Sequence, residues 1–320
     1  MKNRRLGRSE LFLSALGLGC WQFSQGSGFI GRYWPTLSET GIQEIVAVSL
    51  AGGVNWFDTA EAYGRGQSER ALARALNSLG RSSGSVVVAT KWWPVARTAD
   101  SLTRTIGQRL GCLEPYPIDL YQIHQPYSLS SISKQMRAMA GLVKEGRIRY
   151  AGISNFSATQ MREAHDVLQQ LGVPLVSNQV KYSLLDRRIE SNGILDAAKE
   201  LGIGIIAYSP LEQGVLSGRF HNHETISGPR RLQRQFRASQ LQRSFPLIEQ
   251  LRLTAARYGK TISQVALNWL VNRHGETVFA IPGASNIGQA KANTETLTFS
   301  LDPEEMERID RVSQKVWQER

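Results

Sequence analysis

The most constraining feature of this 320-residue sequence is the even spacing of polar residues that end apolar, β-branched segments. Asp58 and Lys91 are 33 positions apart, as are Lys91 and His124. A strand, a helix and two short loops together occupy about 30 or more residues. The spacing therefore predicts repeated β-α-β units, with a carboxylate, an ammonium and an imidazole at one edge of the sheet. Asp58, Lys91 and His124 directly follow the segments 54–57, 86–90 and 118–123, respectively.

Further strand-like segments bring the predicted number of strands to eight. The stretches between them show helical periodicity or helix-opening signals, such as the capping boxes that begin at Ser157 and Thr261. Alternation of strands and helices predicts a parallel sheet covered by helices, and apolar strands indicate that both faces are buried. We expect a (β/α)8 TIM barrel formed by residues 1–320 as one domain, with its active site at the carboxyl ends of the strands. An open doubly wound sheet is the alternative. The further strand-like segments of this prediction are 15–18, 148–153, 174–179, 204–208 and 277–281.

Two stretches depart from the simple repeat. Residues 2–12 alternate apolar and polar side chains around Gly7, which predicts a β-hairpin that caps the bottom of the barrel. The interval 208–277 is too long for one unit, and we expect it to contain a long basic loop and two extra helices. Additions of this kind are common in barrel enzymes.

The rest of the composition excludes several classes of protein. No segment is long and apolar enough to span a bilayer, and the amino terminus lacks a secretory apolar stretch, so we expect a cytoplasmic protein. Cys20 and Cys112 are too few for a disulfide framework and are expected to be buried free thiols. His221 and His223 have no convincing co-ligands, so we expect no metal site.

Much of the excess behind the formal net charge of +11 lies in one segment, residues 219–243. Solvated surface and a clamp on an anionic cofactor both explain this charge, whereas nucleic acid is not expected because no recognised binding motif accompanies it. The segment 202–207 has the form of a dinucleotide fingerprint, but it enters a strand instead of following one, and we reject it. The arginines of the basic segment are Arg219, Arg230, Arg231, Arg234, Arg237 and Arg243.

Asp58, Tyr63, Lys91 and His124 form a combination suited to proton transfer. A phenol has an ordinary pKa of about 10. A nearby ammonium would lower the pKa of Tyr63, and a carboxylate would keep that ammonium charged and in place. Tyr63 would then serve as a proton donor. The structural alternative is a tyrosine at the barrel rim beside an unrelated Asp58–Lys91 ion pair.

The sequence resembles the aldo-keto reductase superfamily over nearly its whole length, from residue 5 to the region of residue 293. Within the superfamily it looks most similar to the branch that contains potassium-channel β subunits, pyridoxal reductases and many bacterial and plant enzymes. The motifs are GVNWFDTAEAYG at 53–64, ATK at 89–91, DLYQIH at 119–124, GISNF at 152–156, NQ at 178–179, YSPL at 208–211 and IPGA at 281–284.

The resemblance implies an NADPH-dependent oxidoreductase that reduces a small-molecule aldehyde or ketone to an alcohol. Tyr63 would be the general acid, Lys91 and Asp58 would tune it, and His124 would orient the carbonyl. An NADP(H)-binding regulatory protein, similar to the channel β subunits and with slow or vestigial catalysis, is the alternative.

The resemblance also implies a set of cofactor contacts. This chain departs from many relatives because Ser285 and Asn286 stand where they place a lysine or arginine near the 2′-phosphate. A guanidinium from residues 230–237 would fill that gap. The residues expected to hold NADP are Ser154, Asn155 and Gln179 at the carboxamide, Tyr208 on the nicotinamide ring, Ser209, Leu211, Gly214, Leu216 and Arg219 along the pyrophosphate, and Gly283, Ala284, Ser285, Gln289 and Asn293 around the adenosine 2′-phosphate.

Aromatic residues of the first and third predicted loops would form the substrate pocket. Trp21, Trp34 and Trp92 are the main candidates, and Trp93, Phe29 and Tyr33 lie beside them in the sequence. Such walls suit a flat aromatic aldehyde such as pyridoxal. They also suit many other carbonyl compounds, so the substrate itself is left open.

Overall fold

The computed structural model describes residues 3–222, 224–226 and 228–318. Its centre is a parallel sheet of eight strands in sequential order. Parallel bridges Leu16–Ala280 and Gly19–Gly283 join the first strand of the sheet to the last. The sheet is therefore closed, which confirms the (β/α)8 barrel and excludes the open sheet. The strands, including two of a terminal hairpin, are β1 Arg4–Arg5, β2 Phe12–Leu13, β3 Leu18–Gly19, β4 Trp56–Asp58, β5 Val87–Trp92, β6 Leu120–Ile123, β7 Tyr150–Ser154, β8 Leu175–Lys181, β9 Gly204–Tyr208 and β10 Val278–Ala280.

Helices cover the outside of the barrel. Ser157 and Thr261 both close the predicted capping boxes, with their side chains accepting from the backbone N–H of Gln160 and Gln264. The helices are α1 Gly28–Gly31, α2 Glu39–Ala51, α3 Gln67–Ser78, α4 Ala99–Leu113, α5 Ile132–Lys144, α6 Ala158–Gln170, α7 Ile194–Leu201, α8 Ala238–Tyr258, α9 Ile262–Asn272, α10 Ile287–Glu295 and α11 Pro303–Gln318.

The additions to the barrel are those that the sequence predicts. β1 and β2 pair in an antiparallel hairpin, although residue 2 of the predicted segment lies outside the described residues. Between β9 and β10 the chain forms a long basic loop and then the helices α8 and α9. The loop contains short 3-10 helices at Glu212–Ser217, Arg219–Asn222, Gly228–Leu232 and Arg234–Phe236.

The interior of the barrel changes from apolar at the bottom to polar at the top. Successive side chains of a strand point to opposite faces, so alternate residues enter the barrel. On β4 the fully buried Trp56 belongs to the inner apolar cluster with the hairpin residues Leu6 and Leu13, and Asp58 follows two positions later. On β5 Ala89 belongs to the same cluster and Lys91 follows it. The carboxyl ends of the strands therefore carry buried polar groups above an apolar plug.

The hairpin fits the barrel bottom closely at Gly7. This residue has a φ of +52°, and a Cβ placed on it would collide with the backbone carbonyl oxygens of Val176 and Gly202. Gly111, within α4, has ordinary φ, and a Cβ added there would meet nothing within 4 Å. A side chain should therefore be tolerated at position 111 but not at position 7.

We expect Gly7→Ala to lower the free energy of unfolding by about 2–4 kcal/mol, because it combines a left-handed backbone with overpacking against backbone atoms. Gly111→Ala is the matched control and should be neutral or stabilise by about 0.5–1 kcal/mol, since alanine favours helix. Urea unfolding followed by circular dichroism measures both. Equal stability of the two variants would show that the hairpin does not pack against the barrel as described.

Candidate active site

A buried ion pair lies at the top of the barrel interior. The Lys91 ammonium donates to one carboxylate oxygen of Asp58 and, at 2.8 Å, to the backbone carbonyl oxygen of Thr59. The side chains of Lys91 and Asp58 are 0% and 1% exposed. Both charges are thus compensated and fixed in position by neighbouring strands.

The second oxygen of Asp58 accepts hydrogen bonds from two amides. Gln122 Nε2 donates at 3.0 Å and Gln179 Nε2 at 2.9 Å, and Gln179 Nε2 also lies 3.3 Å from Gln122 Oε1. The sequence prediction missed Gln122. The available signal was a polar residue inside an apolar strand, two positions before His124 and therefore on the same face. The inner layer is a connected network of two charges and two amides.

Tyr63 and His124 lie next to this network. The Lys91 ammonium nitrogen is 5.1 Å from the centre of the Tyr63 ring. The rings of Tyr63 and His124 meet edge to face with centroids 5.6 Å apart. Asp58, Tyr63 and His124 all line one cavity of about 730 Å³, and Lys91 is buried behind them. The structure therefore brings together the four residues that the sequence singles out.

The pKa of Tyr63 differs in direction from the sequence expectation. Burial raises it well above the ordinary value of 10.0, and the negative charge of Asp58 raises it further. The expected lowering by Lys91 was wrong as a net effect, because the ammonium is bound to Asp58 and desolvation of the phenolate is the larger influence. Tyr63 is therefore a neutral phenol, which keeps its proton at physiological pH.

His124 is also held neutral. Burial lowers its pKa well below 6.5, and the positive charge of Lys91 lowers it further. Trp93 packs against the imidazole edge to face, with ring centroids 5.2 Å apart. Nδ1 of His124 is buried and has no hydrogen-bond partner within the described part of the chain. A neutral imidazole here can donate or accept a hydrogen bond according to its tautomer.

Amide and hydroxyl groups follow along the cavity wall. Asn155 Nδ2 donates to the His124 carbonyl oxygen at 3.2 Å and to Ser154 Oγ at 3.1 Å. The Tyr208 hydroxyl donates to Asn155 Oδ1 at 2.9 Å, and burial raises the pKa of Tyr208 to about 12. Asn155 has a φ of +63°, an uncommon conformation for a non-glycine residue. These contacts fix the amide beside His124.

The buried carboxylate of Glu212 fixes the turn that follows β9. Ser209, Glu212 and Gln213 have positive φ values of 50°, 47° and 56°. Glu212 is 1% exposed and accepts from the Lys181 ammonium at 2.9 Å and from Ser183 Oγ at 3.0 Å. Backbone strain of this kind persists only when the surroundings hold it. The turn therefore has a defined shape at the edge of the cavity.

The far end of the cavity is the loop before α10. The Asn286 side chain caps this helix by accepting from the Gln289 backbone N–H at 2.9 Å, and Gln289 Oε1 accepts from the Ser285 N–H at 2.8 Å. A helix amino terminus favours anions, because its first N–H groups point outwards and the helix dipole is positive there.

Most of the residues expected to hold the cofactor line this cavity, but two do not. Leu216 and Ala284 are fully buried and pack in the core that surrounds the barrel. Ser217, Gly283 and Ser285, which adjoin them in the chain, line the cavity instead. The expected residues on the cavity wall are Ser154, Asn155, Gln179, Tyr208, Ser209, Leu211, Gly214, Arg219, Gly283, Ser285, Gln289 and Asn293.

The aromatic wall agrees with the sequence expectation at two positions and corrects it at a third. Trp21 and Trp34 line the cavity. Trp92 does not, because its fully buried side chain lies on the outer face of β5, with Arg97 stacked over the ring at 5.4 Å. Trp93 lines the cavity in its place. The Phe29 side chain lies outside the described residues.

The described residues form neither a metal site nor a membrane span. Across residues 3–222, 224–226 and 228–318 no cluster of three or more His, Cys, Asp or Glu side chains is arranged to hold a metal ion. His221 contacts Ser244 Oγ at 2.9 Å, and His223 lies outside the described residues. No helix of this part of the chain has the length and apolar character needed to cross a bilayer.

Comparison with known proteins agrees with the geometry. The chain is 39% identical over 290 residues to an uncharacterized oxidoreductase of Mycobacterium tuberculosis, covering 90% of this chain and 86% of that protein. It is 31% identical over 319 residues to the chloroplastic pyridoxal reductase of Arabidopsis thaliana, covering 96% of this chain and 85% of that protein.

A solved structure of an aldo/keto reductase from Klebsiella pneumoniae in complex with NADP and acetate superimposes with a TM-score of 0.75 at 26% identity. The match covers 98% of this chain and 96% of that chain. The model of the aldo/keto reductase family matches residues 15–314. The chain therefore belongs to the aldo/keto reductase family.

Proposed function

We propose that this oxidoreductase reduces aldehydes or ketones to alcohols with NADPH, and that Tyr63 is the general acid. The proposal rests on the cluster of Asp58, Tyr63 and His124 on the wall of a single cavity, with Lys91 buried behind them. A neutral phenol and a neutral imidazole face the same space, and a compensated ammonium lies behind them. This arrangement suits protonation of a carbonyl oxygen.

The residues of the cavity fit an NADP molecule in size and in chemistry. About 730 Å³ is within the range of about 300–1,000 Å³ that is usual for small-molecule pockets. Amides beside His124 suit a carboxamide, and the fixed turn with Arg219 suits a pyrophosphate. The loop before α10 suits a phosphorylated adenosine. When bound, NADPH supplies the hydride. The NADP in the Klebsiella relative supports the choice of cofactor.

Three side chains would hold the carboxamide group of the nicotinamide. Ser154, Asn155 and Gln179 line the cavity next to His124 and Tyr208. Gln179 Nε2 is directed to Asp58 and Gln122, so its carbonyl oxygen is the group that would accept from the ligand. Tyr208, hydrogen-bonded to Asn155, would support the ring. The amide network thus links the cofactor site to the buried ion pair.

Tyr63 and His124 would act on the carbonyl oxygen. The Tyr63 hydroxyl would donate its proton to that oxygen as negative charge develops, and His124 would donate a hydrogen bond and orient the carbonyl. Lys91, 5.1 Å from the centre of the Tyr63 ring, would stabilise the phenolate that remains. Asp58 keeps Lys91 charged and in place. Each residue therefore has a role that follows from its position.

Replacement of the phenol tests this proposal. We expect Tyr63→Phe to lower kcat for NADPH oxidation with 4-nitrobenzaldehyde roughly a hundred- to ten-thousandfold, the usual contribution of a positioned acid. NADPH affinity, measured by fluorescence titration, should stay within a few-fold of the wild type. Tyr127, 71% exposed, provides the matched control Tyr127→Phe, which should retain activity.

The substrate panel should include several aldehydes and ketones, each tested with NADPH and with NADH. A wild-type protein that binds NADPH tightly and oxidises it with none of these carbonyls would contradict the proposal and favour the regulatory alternative. Activity that survives in Tyr63→Phe would contradict the role of Tyr63.

The pH dependence follows from the directions of the two pKa shifts. Tyr63 keeps its proton as pH rises towards 10.0, and His124 stays neutral as pH falls to 6.5. We therefore expect kcat/KM for the carbonyl, at saturating NADPH, to be flat from about pH 6.5 to about pH 9. Initial-rate assays in buffers of constant ionic strength measure this. A decline centred at pH 7–8 would show that the acid ionises there, contrary to the described environment of Tyr63.

A further inference from the structure

Glu61 lies two positions before Tyr63, on the loop that follows β4. Its backbone N–H donates to the Lys91 carbonyl oxygen at 3.1 Å, which attaches this loop to β5. The Glu61 side chain is 18% exposed and forms an ion pair with Arg97. Neither side chain lies on the cavity wall. Any effect of Glu61 on the reaction must therefore pass through other residues.

The two carboxylate oxygens of Glu61 bind different groups of the loop that follows β5. Oε2 accepts from the Trp93 backbone N–H at 3.1 Å, and Oε1 accepts from Arg97 Nη1 at 2.8 Å. Arg97 Nη1 also donates to the Trp93 carbonyl oxygen at 3.1 Å. The backbone on both sides of the Trp93 side chain is thus held from the loop that carries Tyr63.

The Arg97 guanidinium is itself fixed in position. Nε donates to Ser101 Oγ and Nη2 donates to Thr105 Oγ1, both at 3.0 Å and both on α4. The guanidinium carbon lies 5.4 Å from the centre of the Trp92 ring. An isolated ion pair at the surface contributes little, whereas a planar guanidinium with several fixed partners holds its carboxylate in one geometry. The Glu61–Arg97 pair is therefore a defined joint between loops.

The Trp93 side chain connects this joint to the proposed reacting groups. Its ring meets the His124 imidazole edge to face, with centroids 5.2 Å apart. The imidazole in turn meets the Tyr63 ring edge to face, with centroids 5.6 Å apart. A shift of the Trp93 backbone would therefore change the support of His124 on the side away from Tyr63.

The loop that follows His124 is attached to the same joint. The Arg97 carbonyl oxygen accepts from the Leu129 backbone N–H at 2.9 Å and from Ser128 Oγ at 2.8 Å. Three loops of the cavity rim, those after β4, β5 and β6, therefore meet at the Glu61–Arg97 pair.

We propose that Glu61 is a positioning residue of the reaction. Through Trp93, its carboxylate holds the His124 imidazole at the angle to Tyr63 at which both groups meet one carbonyl oxygen. This inference rests on the proposed reductase function and adds a residue outside the cavity to it.

Glu61→Leu removes both acceptors at similar volume. We expect kcat for NADPH oxidation with 4-nitrobenzaldehyde to fall roughly ten- to a hundredfold, because a displacement of about 1 Å at reacting groups has an effect of this size. The Kd of NADPH, measured by fluorescence titration, should stay within about threefold of the wild type, since the joint lies outside the cavity. Glu61→Gln retains one carbonyl acceptor and should lose less activity than Glu61→Leu.

Glu305 offers the matched control for a lost ion pair. Its side chain is buried, binds Arg257 and accepts from Thr254 Oγ1 at 2.7 Å between α8 and α11. Glu305→Leu should lower the free energy of unfolding, measured with urea, and keep kcat near the wild-type value. Loss of stability and loss of activity are thereby separated.

A magnetic resonance measurement tests the position of His124 without turnover. The Cε1–H resonance of His124, assigned by its disappearance in His124→Gln, is sensitive to the ring current of Trp93. In the protein without substrate we expect Glu61→Leu to shift this resonance and Glu305→Leu to leave it in place.

A double-mutant cycle tests the route through Trp93. Side chains that act through one another give non-additive effects, whereas independent side chains give additive ones. In a Trp93→Ala background, which lacks the indole, Glu61→Leu should lower kcat by no more than about threefold.

The following outcomes would overturn the inference. Wild-type kcat and an unshifted His124 resonance in Glu61→Leu would remove the positioning role and leave the reductase function standing. An equal loss from Glu61→Leu with and without the Trp93 indole would reject the route through Trp93. A wild-type protein that turns over no carbonyl compound would reject both this inference and the reductase function.

Discussion

The site depends on one buried ion pair, that of Asp58 and Lys91 inside the barrel. Removing two charges from water costs several kcal/mol per ion, and only good geometry with further hydrogen bonds compensates for it. Here Thr59, Gln122 and Gln179 supply those bonds. Because the two charges of the pair compensate each other, burial is the main influence on the pKa values of Tyr63 and His124, and both side chains stay uncharged. The pair thus fixes both the shape and the protonation state of the proposed acid.

Strand-end residues were predictable from the sequence because they follow from local rules. Strand alternation and the 33-residue spacing place Asp58, Lys91 and His124 on one rim whatever the details of packing. Properties that arise from burial were less accessible. The pKa direction of Tyr63 depends on how deeply the phenol lies, and the sequence suggested the opposite sign. Trp92 ends β5 with its side chain in the surrounding core, and Trp93 follows the strand and lines the cavity, a difference that the sequence did not resolve.

In the basic loop, too, the composition of the segment was visible in the sequence, but contacts between distant positions were not. The sequence shows that arginines are concentrated at 219–243, and it leaves solvated surface and a clamp on an anionic cofactor as two explanations. It does not show that Arg230 lies on Trp34, because that contact joins residues about 200 positions apart. Gln122 was missed for a similar reason, since its role is defined by an aspartate on another strand. In this site, spacing in the sequence predicts which polar side chains meet, and tertiary packing determines the role of each.

The dependence of the reaction on the Asp58–Lys91 pair is tested by the single-turnover rate of NADPH oxidation with saturating 4-nitrobenzaldehyde in Lys91→Met and in the double variant Asp58→Asn/Lys91→Met. Lys91→Met alone leaves an uncompensated carboxylate and should cost about 3–5 kcal/mol of stability, whereas the double variant removes both charges and should fold better. We predict that both bind NADPH but react at least roughly a hundredfold more slowly than the wild type. A folded double variant that reacts at a rate within a few-fold of the wild type would show that the reaction does not depend on this ion pair.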